Sequence, residues 1–182
     1  MKRGFTLVEV VMAVALSAFM LIALVNLFGS FNSLYDYQIS TKGTADTSGA
    51  VIHAAERAVF PADAVVTTHT FSQGTYTSSA STLVLALPSI DSGGSVIPGQ
   101  HDYVALYATT ATAYRLVEVG VGSARQAGAT TLGDHVVSLS FSYDNADVTL
   151  ATQVTVDIQA STTVRQKPVA SHMTETLRLR NK

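Results

Sequence analysis

The sequence predicts an α+β fold, in which one long amino-terminal helix precedes a domain of antiparallel β-sheet. Two observations carry this prediction. The apolar run from Phe5 to Phe28 contains a single charged residue. From Val65 onward, segments of alternating apolar and polar residues follow, and a period of two is typical of strands with one face in a core. Because the helical and strand patterns are separated along the chain, they favour α+β over α/β.

The composition limits the class of function. The chain has 182 residues, of which 47% are hydrophobic and 13% are charged, and its formal net charge is −2. This length suits one ordinary domain, and the low charge fraction favours a membrane segment. The absence of cysteine excludes thiol catalysis, cysteine–zinc sites and disulfides. Basic residues are scattered except near the two ends, so a nucleic acid partner is not indicated.

The run Phe5–Phe28 is long enough to cross a membrane, since it would form a helix of about 36 Å. Lys2 and Arg3 precede it directly, which predicts that the start of the chain is cytoplasmic and that the rest lies outside. A secretory signal peptide would have a shorter apolar region, followed by small residues at a cleavage site. The alternative that this leaves is a plain signal anchor.

Glu9 and Gly4 distinguish this segment from a plain anchor. A carboxylate at membrane depth costs on the order of a few kcal/mol, and the run contains no basic residue to offset it. Cleavage between Gly4 and Phe5 would create an ammonium group about one helical turn before Glu9. In a bundle of subunits, the carboxylate of one chain would then neutralise the amino terminus of its neighbour.

The segment KRGFTLVEVVMAVAL resembles the amino-terminal motif of type IV pilins and pseudopilins, in which a basic leader precedes Gly, Phe, Thr-Leu-Val/Ile-Glu and an apolar helix. Gly4, Phe5 and Glu9 match that motif. The resemblance implies a leader peptide of residues 1–4, cleavage after Gly4 by a prepilin peptidase, N-methylation of Phe5, and a filament core built from the Phe5–Phe28 helix. It also implies three further partners: other pilin or pseudopilin subunits, an inner-membrane assembly platform and, before assembly, the lipid membrane.

The same resemblance implies a location and a role. We expect a single-pass protein of the cytoplasmic (inner) membrane with its head outside, which later enters a cell-surface or periplasmic filament. Many major pilins carry Gly and Pro within the apolar run, whereas this run has Ala18 and Asn26 in that stretch. This difference favours a minor pilin or pseudopilin that acts in filament assembly. A major pilin, or a tip subunit whose head binds a surface or DNA, is the alternative.

The helix is expected to continue over residues 29–61. Gly29–Gly43 contains no proline, although Lys42–Gly49 is rich in Gly, Thr and Ser, so a break there is an alternative. In Ala50–Phe60, apolar residues recur at three-to-four spacing and predict helix again. Pro61 is expected to end it.

The remaining residues, 62–182, are predicted to form a β-rich globular head. The clearest strand is Val137–Tyr143, in which Val137, Leu139, Phe141 and Tyr143 alternate with serines. Val154, Val156 and Ile158 alternate with polar residues in the same way. Weaker strand patterns occur at Thr82–Leu87, Tyr103–Tyr107, Tyr114–Val119 and around Arg178 between Leu177 and Leu179.

Three polar segments of the head predict turns and loops. Asp144–Asp147 is expected to be a hairpin turn, and Thr70–Ser81 and Asp91–Gln100 are expected to be loops. The order of the strand motifs resembles minor subunits related to PilW and the pseudopilin GspJ. The features that carry this likeness are an apolar strand ending at Leu87–Pro88, a tyrosine-rich strand pair, the strand Leu139–Tyr143, a Val-x-Val strand and the terminal segment Thr176–Asn181.

No catalytic or metal-binding constellation is predicted. The string Ile90–Gly94 is similar to the nucleophile segment of chymotrypsin-like proteases, but that triad needs a double-barrel fold too large for this chain. Asp144, Asn145 and Asp147 offer oxygen ligands without the Gly and Glu of an EF-hand loop. The histidines are too widely spaced for a zinc site: His53, His69, His101, His135 and His172. We therefore expect no metal, no cofactor and no enzymatic activity.

Overall fold

The computed structural model describes residues 6–180. One long helix comes first and strands follow, as the α+β prediction requires. The chain divides after Ser40 into two compact units. In chain order the elements are α1 (Leu7–Val59), β1 (Ala64–Val65), β2 (Thr68–Phe71), β3 (Gly74–Thr77), β4 (Thr82–Ile90), β5 (Val96–Thr109), β6 (Thr112–Glu118), β7 (Gly128–Asp134), β8 (Val136–Tyr143), a short 3-10 helix (Val148–Leu150), β9 (Gln153–Val164) and β10 (Lys167–Arg178).

Helix α1 is continuous through Lys42–Gly49, so the alternative of a break in that segment is wrong. The Thr and Ser residues that weaken helix propensity there are also the first buried ones, namely Thr44, Thr47 and Ser48. Tertiary packing of one face therefore outweighs intrinsic propensity. The helix ends at Val59, just before Pro61, and Phe60 N–H still donates to Glu56 O at 3.0 Å.

The second unit contains three antiparallel groups of strands. A five-stranded sheet has the order β1-β4-β5-β6-β7, a three-stranded sheet has the order β10-β9-β8, and β2 pairs with β3 as a separate hairpin. The main core joins the helix to both larger sheets. Its fully buried side chains include Val51, Ala55 and Val59 from α1, Leu83 and Leu85 from β4, and Val154, Val156 and Ile158 from β9. The alternation predicted for β9 is confirmed.

A smaller apolar cluster joins the β2–β3 hairpin to β4, β5 and β6. Phe71, Val84, Ala105 and Leu116 are buried in it, and partly buried tyrosines pack around them. Val84 lies between Leu83 and Leu85, which belong to the main core, so the two clusters use opposite faces of the sheet. Each face of the five-stranded sheet is therefore covered.

The loop prediction for Thr70–Ser81 is wrong for half of its length, because the segment contains part of β2 and all of β3. Threonines facing one another stabilise this hairpin. Thr68 and Thr77 hydroxyls lie 3.1 Å apart, and those of Thr70 and Thr75 lie 3.0 Å apart. Threonine is β-branched and is enriched in strands, so a Thr-rich segment is poor evidence for a loop.

The predicted loop at Asp91–Gln100 is also too long. β5 begins at Val96, and the turn before it is shorter. The Asp91 carboxylate explains the tight turn, because its Oδ1 accepts hydrogen bonds from Gly93 N–H at 2.8 Å and Ser95 N–H at 2.9 Å. An aspartate that bonds the backbone two residues later shortens a turn.

Three strand details differ from the sequence patterns. β4 passes Leu87–Pro88 and ends at Ile90, with irregular pairing between Pro88 and Ile90 where the ring removes a backbone donor. In β8, Val136 is buried and Val137 is exposed, because pairing shifts between Val136 and Ser138. β7 lies at an edge of the sheet and was not predicted, since most of its side chains are exposed and show no alternation.

The segment after β8 is longer than a hairpin turn. Asp144 Oδ1 accepts hydrogen bonds from Thr152 N–H and Gln153 N–H, at 2.9 and 3.1 Å. Asp147 caps the 3-10 helix Val148–Leu150 through Thr149 N–H at 3.0 Å. The prediction of a turn at Asp144–Asp147 is therefore correct in place but not in length.

Candidate functional site

Two of the three residues predicted for processing and assembly lie outside the described part of the chain. Gly4 and Phe5 precede residue 6, as does the rest of the leader Met1–Gly4. Cleavage after Gly4 and methylation of Phe5 therefore stay predictions. The third residue, Glu9, is described and lies in the first turn of α1.

Glu9 and Thr6 form a reciprocal cap at the start of α1. Thr6 N–H donates to Glu9 Oε2 at 2.8 Å, and Thr6 Oγ1 donates to the same oxygen at 3.0 Å. Glu9 N–H donates back to Thr6 Oγ1 at 3.3 Å. This is a capping box, which satisfies backbone donors that the first helical turn would otherwise leave unpaired. The carboxylate therefore has a partner within its own chain.

The capping role of Thr6 was not predicted from the sequence. The signal for it was present, because Thr and Glu three residues apart, followed by an apolar run, is the capping-box pattern. Only Oε2 takes part in the two bonds from Thr6. The Glu9 side chain is otherwise exposed, so its carboxylate is accessible to a second donor.

The helix of the first unit exposes an apolar surface. An 18-residue window of α1 has a mean hydropathy of 2.6 with none of it buried within the chain, so the helix is apolar and long enough to cross a membrane. Glu9, Ala13 and Ser17 are spaced by four residues and share one face. Small side chains on that face would let another helix approach closely.

The histidines are spread over the second unit and pair with separate acids. In each pair a ring nitrogen lies close to a carboxylate oxygen. The pairs are His53–Glu56 at 2.7 Å, His69–Glu118 at 2.9 Å, His101–Asp63 at 3.3 Å and His172–Asp157 at 2.7 Å. His135 lies between β7 and β8 with φ +63°. Within residues 6–180, no group of three His, Asp or Glu side chains is arranged to hold a metal ion.

The acidic residues considered for calcium serve the backbone instead. Asp144 Oδ2 accepts a hydrogen bond from Thr152 Oγ1 at 2.6 Å, in addition to the backbone bonds described above. Hydrogen bonds from Thr152 and Gln153 lower the pKa of Asp144 below its ordinary value. The carboxylates of Asp144 and Asp147 therefore act as turn-forming groups.

A buried polar network, which sequence reasoning missed, surrounds Asp102 in β5. The side chain is completely buried. Its Oδ1 accepts from Ser89 Oγ at 2.7 Å and Gly120 N–H at 2.8 Å, and its Oδ2 accepts from Ser123 Oγ at 2.8 Å and Arg125 Nη1 at 2.6 Å. These four donors attach the loop after β6 to β4 and β5.

The network keeps Asp102 charged. Burial raises the pKa of this carboxyl, but the hydrogen bonds from Gly120, Ser89, Ser123 and Arg125 outweigh it and hold the pKa below its ordinary value. Gly120 is required by the close approach, because a Cβ there would lie 2.7 Å from Ser89 Oγ. The arrangement is a satisfied structural ion pair within the fold.

Comparison with protein families matches residues 1–25 to the prokaryotic N-terminal methylation motif. No curated protein is matched by the chain. The matched segment includes Gly4, Phe5, Thr6 and Glu9, and it covers the first part of the exposed apolar helix. Together, the motif and the long apolar helix support a type IV pilin-like or pseudopilin subunit; proteins of that class are structural subunits with a class III signal and one membrane-anchoring helix.

Proposed function

We propose that the chain is a minor pilin or pseudopilin, and that it acts in assembly or initiation of a type IV pilus-like filament or a type II secretion pseudopilus. The match of residues 1–25 to the N-terminal methylation motif carries this proposal. The exposed apolar surface of α1 supports it, because such a surface must be covered by lipid or by other helices. The lack of Gly and Pro in the apolar run favours a minor subunit.

The proposed sequence of events begins in the cytoplasmic membrane. The precursor inserts with its amino terminus in the cytoplasm, and a prepilin peptidase removes Met1–Gly4 and methylates Phe5. An assembly platform then transfers the mature subunit into the filament. Helix contacts there replace lipid contacts, and because both surroundings are apolar, close packing and polar pairing must favour the filament.

Glu9 supplies the polar pairing in this proposal. Thr6 fixes one carboxylate oxygen, Oε2, at 2.8 and 3.0 Å, so the side chain is oriented before a neighbour arrives. The amino terminus created at Phe5 of a neighbouring subunit would then bind the same carboxylate. Pairing of an ammonium with a carboxylate away from water is strong enough to set the axial register of the subunits.

The test is incorporation of a Glu9→Ala variant. We expect insertion and processing to be normal, because cleavage depends on the leader, while the amount of the variant in filaments falls at least about tenfold, which corresponds to loss of about 1.4 kcal/mol. Intact amino-terminal peptides from membranes and from sheared filaments are measured by mass spectrometry. The matched control is Asp46→Ala, which removes an exposed carboxylate from the same helix.

Three outcomes would decide the proposal. Wild-type incorporation of Glu9→Ala would contradict the pairing role. An unprocessed Met1 terminus confined to membranes would contradict the subunit role altogether and leave a plain signal anchor. The molar ratio of this chain to the other filament subunits distinguishes a minor from a major subunit. A small fraction supports a minor subunit, and a dominant fraction indicates a major one.

A further inference from the structure

A cavity in the second unit is lined by three arginines. It has a volume of about 200 Å³ and lies between the carboxyl-terminal part of α1 and the five-stranded sheet. A second, adjoining cavity shares Ala54, Arg57 and Arg115 with the first. We call the first cavity the arginine groove; its lining residues are Ala54, Arg57, Ala58, Leu87, Val104, Arg115, Val117, Arg125 and Gln126.

Arg115 occupies an unusual position in β6. Ala113 and Val117, two residues before and after it, belong to the main core on the helix-facing side of the sheet, and Leu116 belongs to the opposite cluster. Because side chains alternate along a strand, Arg115 lies on the helix-facing side. A guanidinium among core positions needs a specific reason, since charged groups are rarely buried without a partner.

The polar contacts of Arg115 are incomplete. Its Nε is buried and has no hydrogen-bond partner among the residues that the structure describes. A buried donor that has lost its water and gained no acceptor is unfavourable, so an acceptor at this position would stabilise the protein. Arg115 lines both adjoining cavities, which gives a ligand access to its guanidinium.

The groove carries uncompensated positive charge. Arg125 is neutralised by Asp102, at 2.6 Å. In contrast, neither Arg57 nor Arg115 lies within 4 Å of a carboxylate in the range 6–180. The neighbouring acids are engaged elsewhere, since Glu56 is paired with His53 and Glu118 with His69, at 2.7 and 2.9 Å.

The rest of the lining is apolar and defines the ligand further. Alanine, leucine and valine side chains from α1, β4, β5 and β6 surround the guanidinium groups. A carboxylate matches the planar fork of a guanidinium, and an aliphatic stem behind it would contact the apolar lining. A bare phosphate is hydrated on all sides and would gain nothing from that lining.

We propose that the arginine groove binds an aliphatic carboxylate through Arg57 and Arg115. The carboxylate comes either from a small free acid or from a Glu or Asp side chain of another polypeptide, such as a neighbouring filament subunit. The shared chemistry is one planar anionic group on a short apolar stem. Binding itself does not depend on filament assembly, and only the second source rests on the proposed function.

The first experiment measures binding to the full chain in detergent micelles. The protein is labelled with ¹⁵N-arginine and titrated with butyrate, which has one carboxylate on an apolar stem, while the Nε–H signals are followed by NMR. We expect saturable shifts of the Arg57 and Arg115 signals. Arg115→Gln and Arg57→Gln should each weaken binding at least about tenfold, since each removes one charge-assisted pair. Arg165→Gln, in the turn between β9 and β10, makes the same change in charge and should bind like the wild type.

Two other compounds test the chemistry. Butyramide has the same stem without charge, and inorganic phosphate has charge without a stem; we expect neither to produce saturable shifts at these arginines. Equal binding of either compound, no saturable shift with butyrate, or unchanged binding by both Gln variants would overturn the proposal. If Arg115→Gln unfolds the domain, Arg57→Gln decides, because Arg57 is exposed and its replacement leaves the core intact.

The second experiment distinguishes the two sources. Sheared filaments are sedimented with radiolabelled butyrate, alongside the detergent-solubilised chain. If a neighbouring subunit supplies the carboxylate, the groove in filaments will be blocked to butyrate and Arg115→Gln will enter filaments poorly. If the ligand is a free acid, filaments will bind butyrate as well as the solubilised chain does. A failure of the chain to enter filaments would contradict the proposed function. The titration in micelles would still test whether the groove binds a carboxylate.

Discussion

At the scale of single residues, two carboxylates serve different purposes because their surroundings differ. Glu9 is exposed at the start of a helix and accepts two hydrogen bonds from Thr6 at one oxygen. Asp102 is completely buried and uses both oxygens for four donors. Only the second is saturated by its own chain, so Glu9 is the one available for a partner and Asp102 is the one that stabilises the fold.

Replacement of Asp102 by asparagine should destabilise the second unit by about 3 kcal/mol, because Arg125 loses its buried anion and an amide nitrogen cannot accept the hydrogen bonds made to Asp102. Urea unfolding of the detergent-solubilised chain, followed through amide NMR signals of the sheet, measures this change. Asp134→Asn is the control, since that carboxylate has an exposed bond with Thr112 at 2.8 Å. A cost for Asp102→Asn no larger than that of the control would contradict the structural role.

The same aspartate predicts a direction of pH dependence. Because the folded-state pKa of Asp102 is lowered, its contribution to stability is present above the unfolded-state pKa of about 3.9 and is lost as pH falls through the folded-state value. The difference in free energy of unfolding between the wild type and Asp102→Asn should therefore shrink as pH is lowered below about 4. Urea unfolding at a series of pH values measures it. A constant difference would show that the charge of Asp102 is not what stabilises the network.

At the scale of elements, a strand could be predicted from the sequence when its burial leaves a pattern in its own residues. A strand that is held by contacts with distant segments could not. The strand containing Val154, Val156 and Ile158 was predictable because burial of one face leaves a period of two in the residues themselves. β7 was not, because an exposed edge strand shows no such period and is held by pairing with β6. The β2–β3 hairpin was missed because its stability comes from facing threonines and from packing on a sheet that is distant in sequence.

The residues of the candidate sites differ in the same respect: some could be predicted from a contiguous motif, and others depend on contacts between distant segments. Gly4, Phe5 and Glu9 could be predicted from the sequence because their motif is contiguous, and their roles in processing and assembly stay predictions. The Asp102 network could not be predicted in this way, because its donors are 13 to 23 residues away and come from β4 and from the loop after β6. Arg115 could not be recognised either, since its significance depends on which face of β6 packs on the helix.

The turn between β9 and β10 contains two residues in the left-handed region of φ, and glycine substitution can test whether they are strained. Arg165 and Gln166 have φ values of +46° and +67° and directly join the paired residues Val164 and Lys167. This conformation suits Asn-Gly, so Gln166→Gly should stabilise the protein by about 1 kcal/mol.

The control for that turn is Gln159→Gly, which introduces glycine into the middle of β9, where it should destabilise by about 0.5–1 kcal/mol. Urea unfolding gives both values. The same sign for the two substitutions would contradict the conformational argument, because the side chain removed is identical and only the backbone region differs.

At the scale of the whole molecule, each of the two units presents a surface that its own fold leaves incomplete. In the first, apolar side chains between Leu7 and Phe28 are exposed along the helix. In the second, Arg57 and Arg115 line a cavity, and neither guanidinium lies within 4 Å of a carboxylate in the described part of the chain. The proposed filament covers the first surface, and the proposed carboxylate occupies the second.

The small-residue face of the helix should limit how closely subunits pack. Ala13→Leu enlarges a side chain on the face of Glu9, so we expect normal insertion into membranes and a several-fold lower amount in filaments, because neighbouring helices could no longer approach as closely. Ala15→Leu makes the same change on another side of the helix. The two variants are compared by quantitative immunoblotting of membrane and sheared fractions. Equal amounts of the two variants in filaments would show that close packing does not depend on the helix face that contains Glu9 and Ala13.

The aromatic rings between the β2–β3 hairpin and the five-stranded sheet give the molecule an intrinsic optical reporter. The chain has no tryptophan and seven tyrosines. Four of these, Tyr76, Tyr103, Tyr107 and Tyr114, belong to one series of ring contacts that also includes His69 and Phe71, with centroid separations of 3.6 to 5.5 Å. Rings this close couple their electronic transitions, so near-ultraviolet circular dichroism of the unlabelled protein should be dominated by this cluster. The folding of the head of the purified chain can thus be followed by light alone, without adding a probe.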